Sequence, residues 1–431
     1  MPCLRLFRSE EKGLSPEERL VLASFVMHFE GYEALRMTLR ELSERLGISL
    51  RVVSRAVSKL AAEAYLVVDK VSTGRGRPSS TYKLSAALRA HLSELDGENC
   101  PSVCAQAIKN LLSERNEKND QGDCAKKKIG LKKTPGKSKA DQPSASSRWL
   151  LAVLFSYADE LGVVRDVTTS QLRQITGMGG VRLKSQLQGL LARGLIRSYV
   201  PGASNTLFVG VKLSTTYFLN LDHPFLGLGR DVCSVLALKD FGWNQREAVC
   251  ATALPVVERY LRAIEEQAFN VFCMRLDAYA SFLLSNRWVE LSNPDFPEMA
   301  KSLEKMIASD FQRPNGSAGA GTAINESDWA IVIEHIGWLA LENVRWIRKI
   351  LMRMPSGGTC NTRIQIIPAP KKKDKARITT LLMERSLIPQ ASCLVIKYVT
   401  PRVCELYREE AEIPIGERYE LGLLTRSRDR A

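Results

Sequence analysis

Apolar residues recur three and four positions apart through the first third of the chain, and each such run begins at a helix-start signal. Ser15-Pro16-Glu17-Glu18 supplies an N-cap serine, a proline at the first helical position and a glutamate three residues after the cap. The pattern continues through Leu22, Phe25, Val26 and Phe29, and Gly31 stands where it ends. Thr38-Leu39-Arg40-Glu41 is a second capping box and opens LRELSERL. Gly47 breaks the chain, and Ser49 is placed to cap a third helix, LRVVSRAVSKLAAEA. The period then shortens: YLVVDKV and STYKLS carry the β-branched and aromatic content of strands, around the tip Gly74-Arg75-Gly76-Arg77-Pro78.

The same order returns further on with weaker punctuation. Ser147-Arg148-Trp149 precedes the apolar LLAVLFSYADEL, and Thr168-Thr169-Ser170-Gln171 is another capping-box pattern. Gly177 and Gly179 mark a turn before VRLKSQLQGLLARG, followed by the strand IRSYV, the tip PGASNT and the return strand LFVGVKL. The span from Ser147 to Leu221 therefore repeats an architecture without repeating a sequence. Between the two lies SERNEKNDQGDCAKKKIGLKKTPGKSKADQPSASS, too polar to bury a core and expected to be a tether. Beyond His223 the pattern is mainly helical, with Trp329 to Met354 the clearest long helix; RIQIIPAP is a candidate strand, and SCLVIKYVTPRVCELYREEA fits strand or helix. The expected fold is mainly α with small β-wings. Its expected divisions are 1–95, a linker over 96–146, 147–222, and a mostly helical region over 223–431.

Charge changes the picture. Across 431 residues, Lys and Arg total 61 against 47 Asp and Glu, a formal net charge of +14, which favours an anionic partner such as nucleic acid. No apolar run is free of charge for long enough to span a bilayer, and the first residues lack the apolar core of a signal peptide, so a cytoplasmic, nucleoid-associated protein without a membrane partner is expected. The ten cysteines are scattered. Cys100, Cys104 and Cys124 with His91 lack the two close ligand pairs of a zinc site, so no metal and no cofactor are expected. The four histidines each stand apart from an acid or nucleophile partner, and the glycines of 316–321 precede no Lys-Ser or Lys-Thr pair. No catalytic residues are expected, and the chain does not read as an enzyme.

The residues TLRELSERLGISLRVVSRAVSKL, with the strand, tip and strand that follow, resemble the winged helix-turn-helix of bacterial DNA-binding proteins. The resemblance covers about Leu14 to Ser85, and in weaker form Ser147 to Leu221. It implies double-stranded DNA as partner and a third helix lying in the major groove. On that helix, Val53, Ala56, Val57 and Leu60 share the inward face. Arg51, Ser54, Arg55, Ser58 and Lys59 share the other, with Ser49 at its start. Arg75-Gly76-Arg77-Pro78 resembles the core of AT-hook peptides, whose arginines follow the negative potential of a narrow minor groove. The second such helix offers Arg182, Lys184 and Ser185. A transcription regulator is the first expectation. A replication initiation or maintenance protein of a plasmid or integrative mobile element, and a protein-interaction scaffold, are the alternatives. The C-terminal region is the place for a homodimer or protein contact.

Overall fold

The computed structural model describes residues 3–9, 13–29, 34–71, 79–94, 100–113, 143–202, 214–229, 232–240, 245–292, 297–311, 313, 324–354, 362–368, 377–384, 391–398 and 403–425. The chain divides into two compact units: Met1–Glu160 with Thr169–Arg193 and Phe225–Leu228, and Leu161–Thr168 with Gly194–Pro224 and Gly229–Ala431.

In the first unit, α1 (Cys3–Leu6) precedes α2 (Pro16–Phe29), which begins as its cap pattern predicts: the Ser15 N–H donates to Glu18 at 2.7 Å and the Glu18 N–H donates to the Ser15 hydroxyl at 3.4 Å. Residues Leu20 to Val26 are all buried, Ser24 included. A helix apolar on every side belongs at the centre of a core, and α2 touches α1 and four further helices of its unit. After it come β1 (Leu35–Met37), α3 (Leu39–Leu46), α4 (Leu50–Ala62), β2 (Leu66–Val71) and β3 (Ser79–Leu84), the three strands forming one antiparallel sheet of order β1-β3-β2. The helices α5 (Ala86–Glu94) and α6 (Ser102–Leu112) follow. Helix α6 lies inside the span expected as a linker, yet it buries Cys104, Ala107, Ile108, Leu111 and Leu112. Their spacing of three and four is that of a packed helix face, set directly before the polar run that masks it. Residues 114–142, with the linker lysines and Cys124, lie outside the described residues.

Then come α7 (Ala145–Ser156), α8 (Thr169–Thr176) and α9 (Gly180–Ala192). Helix α7 buries Trp149 to Ser156 without a break and sets the Trp149 ring 5.0 Å from Phe7. Two arginines fasten this unit through backbone carbonyls. Buried Arg19 on α2 donates to Leu14 O, and its Nη1 donates to Gln174 O and Ile175 O in the last turn of α8. Arg148 on α7 donates to Leu111 O at the end of α6 and to Gly47 O after α3. Burial lowers the Arg148 pKa to about 10, and it remains a cation at neutral pH.

Gly177 closes α8 with φ +68, and a Cβ there would stand 2.7 Å from Leu14 O and 3.1 Å from Arg19 Nε. Both the left-handed backbone and a carbonyl that cannot move cheaply require glycine. Gly177→Ala is expected to destabilise the first unit by about 2–4 kcal/mol, read as a lower urea midpoint. A second stability effect concerns His28 in the last turn of α2. Burial lowers its pKa, with Lys109 and Arg45 adding in the same direction against a hydrogen bond to the Leu112 backbone. His335 in the second unit is lowered by burial as well. An unfolded imidazole takes a proton near pH 6.5 while the folded one resists it, so stability is full above that pH and falls as pH drops below it. The double replacement His28→Gln/His335→Gln is expected to flatten the melting temperature between pH 7 and pH 5; an unchanged slope would rule the histidines out.

The second unit overturns the expectation of a mainly α chain with small wings and a mostly helical region after residue 223. Its β4 (Val163–Val164), β5 (Ile196–Val200) and β6 (Thr216–Leu219) form a sheet of order β4-β6-β5. Strands β7 (Ser234–Asp240), β8 (Ile364–Ile367), β9 (Arg377–Met383), β10 (Cys393–Tyr398) and β11 (Val403–Tyr407) form a five-stranded mixed sheet of order β11-β10-β7-β9-β8, with β7 parallel to β10 and antiparallel to β9. The chain is thus mixed α/β. Between β7 and β8 run α10 (Gln245–Ala251), α11 (Pro255–Ala263), α12 (Glu266–Asn286), α13 (Pro297–Asp310) and α14 (Glu326–Leu351), and α15 (Ile415–Glu420) closes the unit.

Leu236, Leu238, Ile364, Ile366, Leu381, Met383, Leu394 and Ile396 join the core formed with α11, α12 and α14. The opposite positions Val235, Ala237, Ile367, Leu382 and Val395 are buried too. Strands buried on both faces read as unbroken apolar runs, which is why alternation did not mark them. The expected strand RIQIIPAP contains β8. Trp329 and Trp346 pack against the helical core, whereas Trp338 turns outward and is 40% exposed. Among the described residues no helix is long and apolar enough to cross a membrane.

Candidate nucleic-acid interface

Helix α4, packed against α3, presents two cations that make no ion pair with a described residue. Helix α3 starts with both halves of the predicted capping box: the Glu41 N–H donates to the Thr38 hydroxyl at 3.2 Å, and the Thr38 N–H donates to the Glu41 carboxylate at 2.7 Å. These bonds hold the Glu41 carboxyl below the usual range. The helix stops at Gly47, whose left-handed φ of 59 turns the chain toward α4 while its N–H bonds Glu44 O. Leu42 and Leu46 of α3, and Val53, Ala56, Val57 and Leu60 of α4, are buried. At about 1.5–3 kcal/mol for a fully buried Val or Leu side chain, this stripe fixes the rotation of α4.

That rotation decides what faces water. Ser49, Arg51, Arg55 and Ser58 are exposed, and Ser54 and Lys59 are half-buried. Arg51 and Arg55 lie one turn apart and make no ion pair with any described residue. Lys59 is different: it binds Glu63 at 2.5 Å, which raises its pKa. Ser58 donates to Ser54 O at 3.0 Å. Ser49 occupies the N-cap position of α4, but its side chain makes no cap hydrogen bond, a departure from the predicted cap. Its exposed hydroxyl sits where the first N–H groups of α4 carry the positive end of the helix dipole.

Strands β2 and β3 pair in register from Leu66 opposite Leu84 to Val71 opposite Ser79. Arg75 and Arg77 themselves lie outside the described residues.

The corresponding helix α9 places Arg182, Lys184 and Ser185 on an exposed face. Its cations are not equivalent to those of α4. Arg182 forms an ion pair with Glu17 of α2, and Gln186 accepts a hydrogen bond from Ser147. Leu183 and Leu190 are buried, whereas Leu187 and Leu191 are half-buried. The Arg182 pair joins residues far apart in the chain, so no local pattern announces it.

Of the expected metal candidates, Cys104 is buried with its thiol donating to Asp159 O at 3.4 Å, and Cys100 is half-buried. Among the described residues no three His, Cys, Asp or Glu side chains gather as a metal site. Comparison with protein-family models, with characterised proteins and with solved structures found no match.

Proposed function

We propose that the chain is a sequence-specific double-stranded DNA-binding protein, a transcription regulator of winged helix-turn-helix type acting through its first module. The observation that carries this reading is the face of α4. Arg51 and Arg55 are exposed, one turn apart and unpaired among the described residues, on a helix whose other side is locked by buried Val53, Val57 and Leu60. A surface cation with no acid beside it keeps its donors for guanine edges or phosphates. The net charge of +14 supplies a long-range, salt-sensitive attraction to DNA. The second module reads as the weaker DNA contact, because Arg182 is already engaged by Glu17.

The test is selection of binding sites from random duplexes by the full chain, followed by the same selection with Arg75→Ala and Arg77→Ala. If the tip arginines enter a minor groove, these variants lose the preference for A·T flanks and keep the central motif. Equal weakening on every site would limit the tip to phosphate contact. No selected motif, together with no binding at low salt, would overturn the reading. Enrichment of iterated repeats over a single operator would favour the replication alternative.

A further inference from the structure

The last turns of α14 and the outer strands of the five-stranded sheet enclose a groove of about 550 Å³. Trp346, Lys349, Ile350, Arg353 and Met354 form one wall; their spacing of three and four places them on a single stripe that runs just past the helix end. The sheet supplies the other wall. Leu394, Ile396 and Tyr398 alternate along β10, and Leu406 and Cys404 stand opposite Leu394 and Ile396 on the edge strand β11. The Trp346 and Tyr398 rings lie 6.3 Å apart. Apolar surface stays in water here: Leu406 is 59% exposed. Such exposure costs hydration free energy that an apolar ligand body recovers.

Among the described residues the charges at this groove are of one sign: Lys349 and Arg353 are exposed one turn apart, neither makes an ion pair with a described residue, and no described carboxylate lines the groove. Two cations at that spacing converge on one small anion. The volume lies in the range of small-ligand sites, roughly 300–1,000 Å³.

We propose that this groove binds an amphipathic organic carboxylate, with its hydrocarbon body between Trp346, Ile396 and Leu406 and its carboxylate on Lys349 and Arg353. The inference goes beyond the DNA-binding reading and does not depend on it.

The experiment is titration of the full chain, without DNA, with sodium decanoate below its micellar concentration and with decan-1-ol, followed by calorimetry. Saturable one-to-one decanoate binding is expected. It should weaken about tenfold or more in Lys349→Gln/Arg353→Gln, the scale of one lost charge-assisted contact, while decanol binding stays unchanged in that variant. Leu406→Glu should block both ligands. Because Leu406 is exposed, its variant should keep the melting temperature of the parent, which separates loss of the site from loss of the fold. Absence of saturable decanoate binding would overturn the proposal, as would binding that both variants leave intact. So would a dimer, seen by light scattering, that Leu406→Glu dissociates in a protein that takes up no decanoate; the groove would then be covered by a second copy.

Discussion

Arg51→Ala and Arg55→Ala are each expected to weaken binding to the selected DNA site by about 1–3 kcal/mol, the scale of one bidentate base contact. The double variant should approach the affinity of non-specific DNA. The grounds are that both guanidinium groups are solvent-exposed and unpaired among the described residues, while the helix that holds them is pinned by four buried side chains. No rearrangement is needed before they bind, so the full contact is lost when they are removed. Lys59→Ala should cost less, because Lys59 must leave Glu63 to reach a phosphate. Arg182→Ala should cost less again for the same reason at Glu17. A competition assay across salt concentrations distinguishes two roles. Loss of a base contact relaxes sequence preference at one position, whereas loss of a phosphate contact reduces the salt slope by about 1 and leaves preference intact. If the arginine variants bind as tightly as the parent while Arg182→Ala does not, α9 and not α4 is the reading helix.

What was legible in the sequence was local. The Thr38–Glu41 box, the stop at Gly47 and the four-residue rhythm of Val53, Ala56, Val57 and Leu60 involve neighbours in the chain, and each forms. The placement of Arg51 and Arg55 on an open face follows from that rhythm alone. What was not legible was long-range. In β7, Leu236 faces Leu381 on one side and Leu394 on the other, partners far along the chain, and burial on both faces erases the alternation that marks a strand. Helix α6 escapes a linear reading because the polar run begins directly after its five buried positions. The pairing of Arg182 with Glu17 had no local signal, and neither did the carbonyl contacts of Arg19 and Arg148.

Arg197 shows most clearly why such contacts escape a linear reading, and its replacement carries the largest expected effect on stability. In the strand IRSYV an arginine between an isoleucine and a serine reads as an outward residue. Instead the pairing of β5 with β6 shifts between Ile196 and Ser198, so Arg197 sits at an irregularity that re-aims its side chain. The residue is buried, with its side chain only 1% exposed; it binds Asp222 at 3.0 Å and also pairs with Glu410. Burial opposes its charge, and the attraction of Glu410 and Asp222 outweighs that cost, so its pKa lies above the usual arginine value. Asp222 in turn accepts from the Val232 and Cys233 N–H groups, and the Arg197 carbonyl accepts from Thr425 at 2.8 Å. One side chain thus ties the segment that follows β6 to the distant Glu410 of the same unit. Removing it leaves two half-buried carboxylates side by side without their cation, the costly way to break an ion pair whose arginine is fully buried. Arg197→Met is expected to destabilise the second unit by about 3–5 kcal/mol, measured by urea unfolding followed through the tryptophans of that unit. Arg197→Met/Asp222→Asn/Glu410→Gln removes all three charges together and should recover a large part of the loss, because what the single variant suffers is the orphaned charge. A loss below about 1 kcal/mol in the single variant, or a triple variant no more stable than the single, would show that the cluster is incidental to the fold.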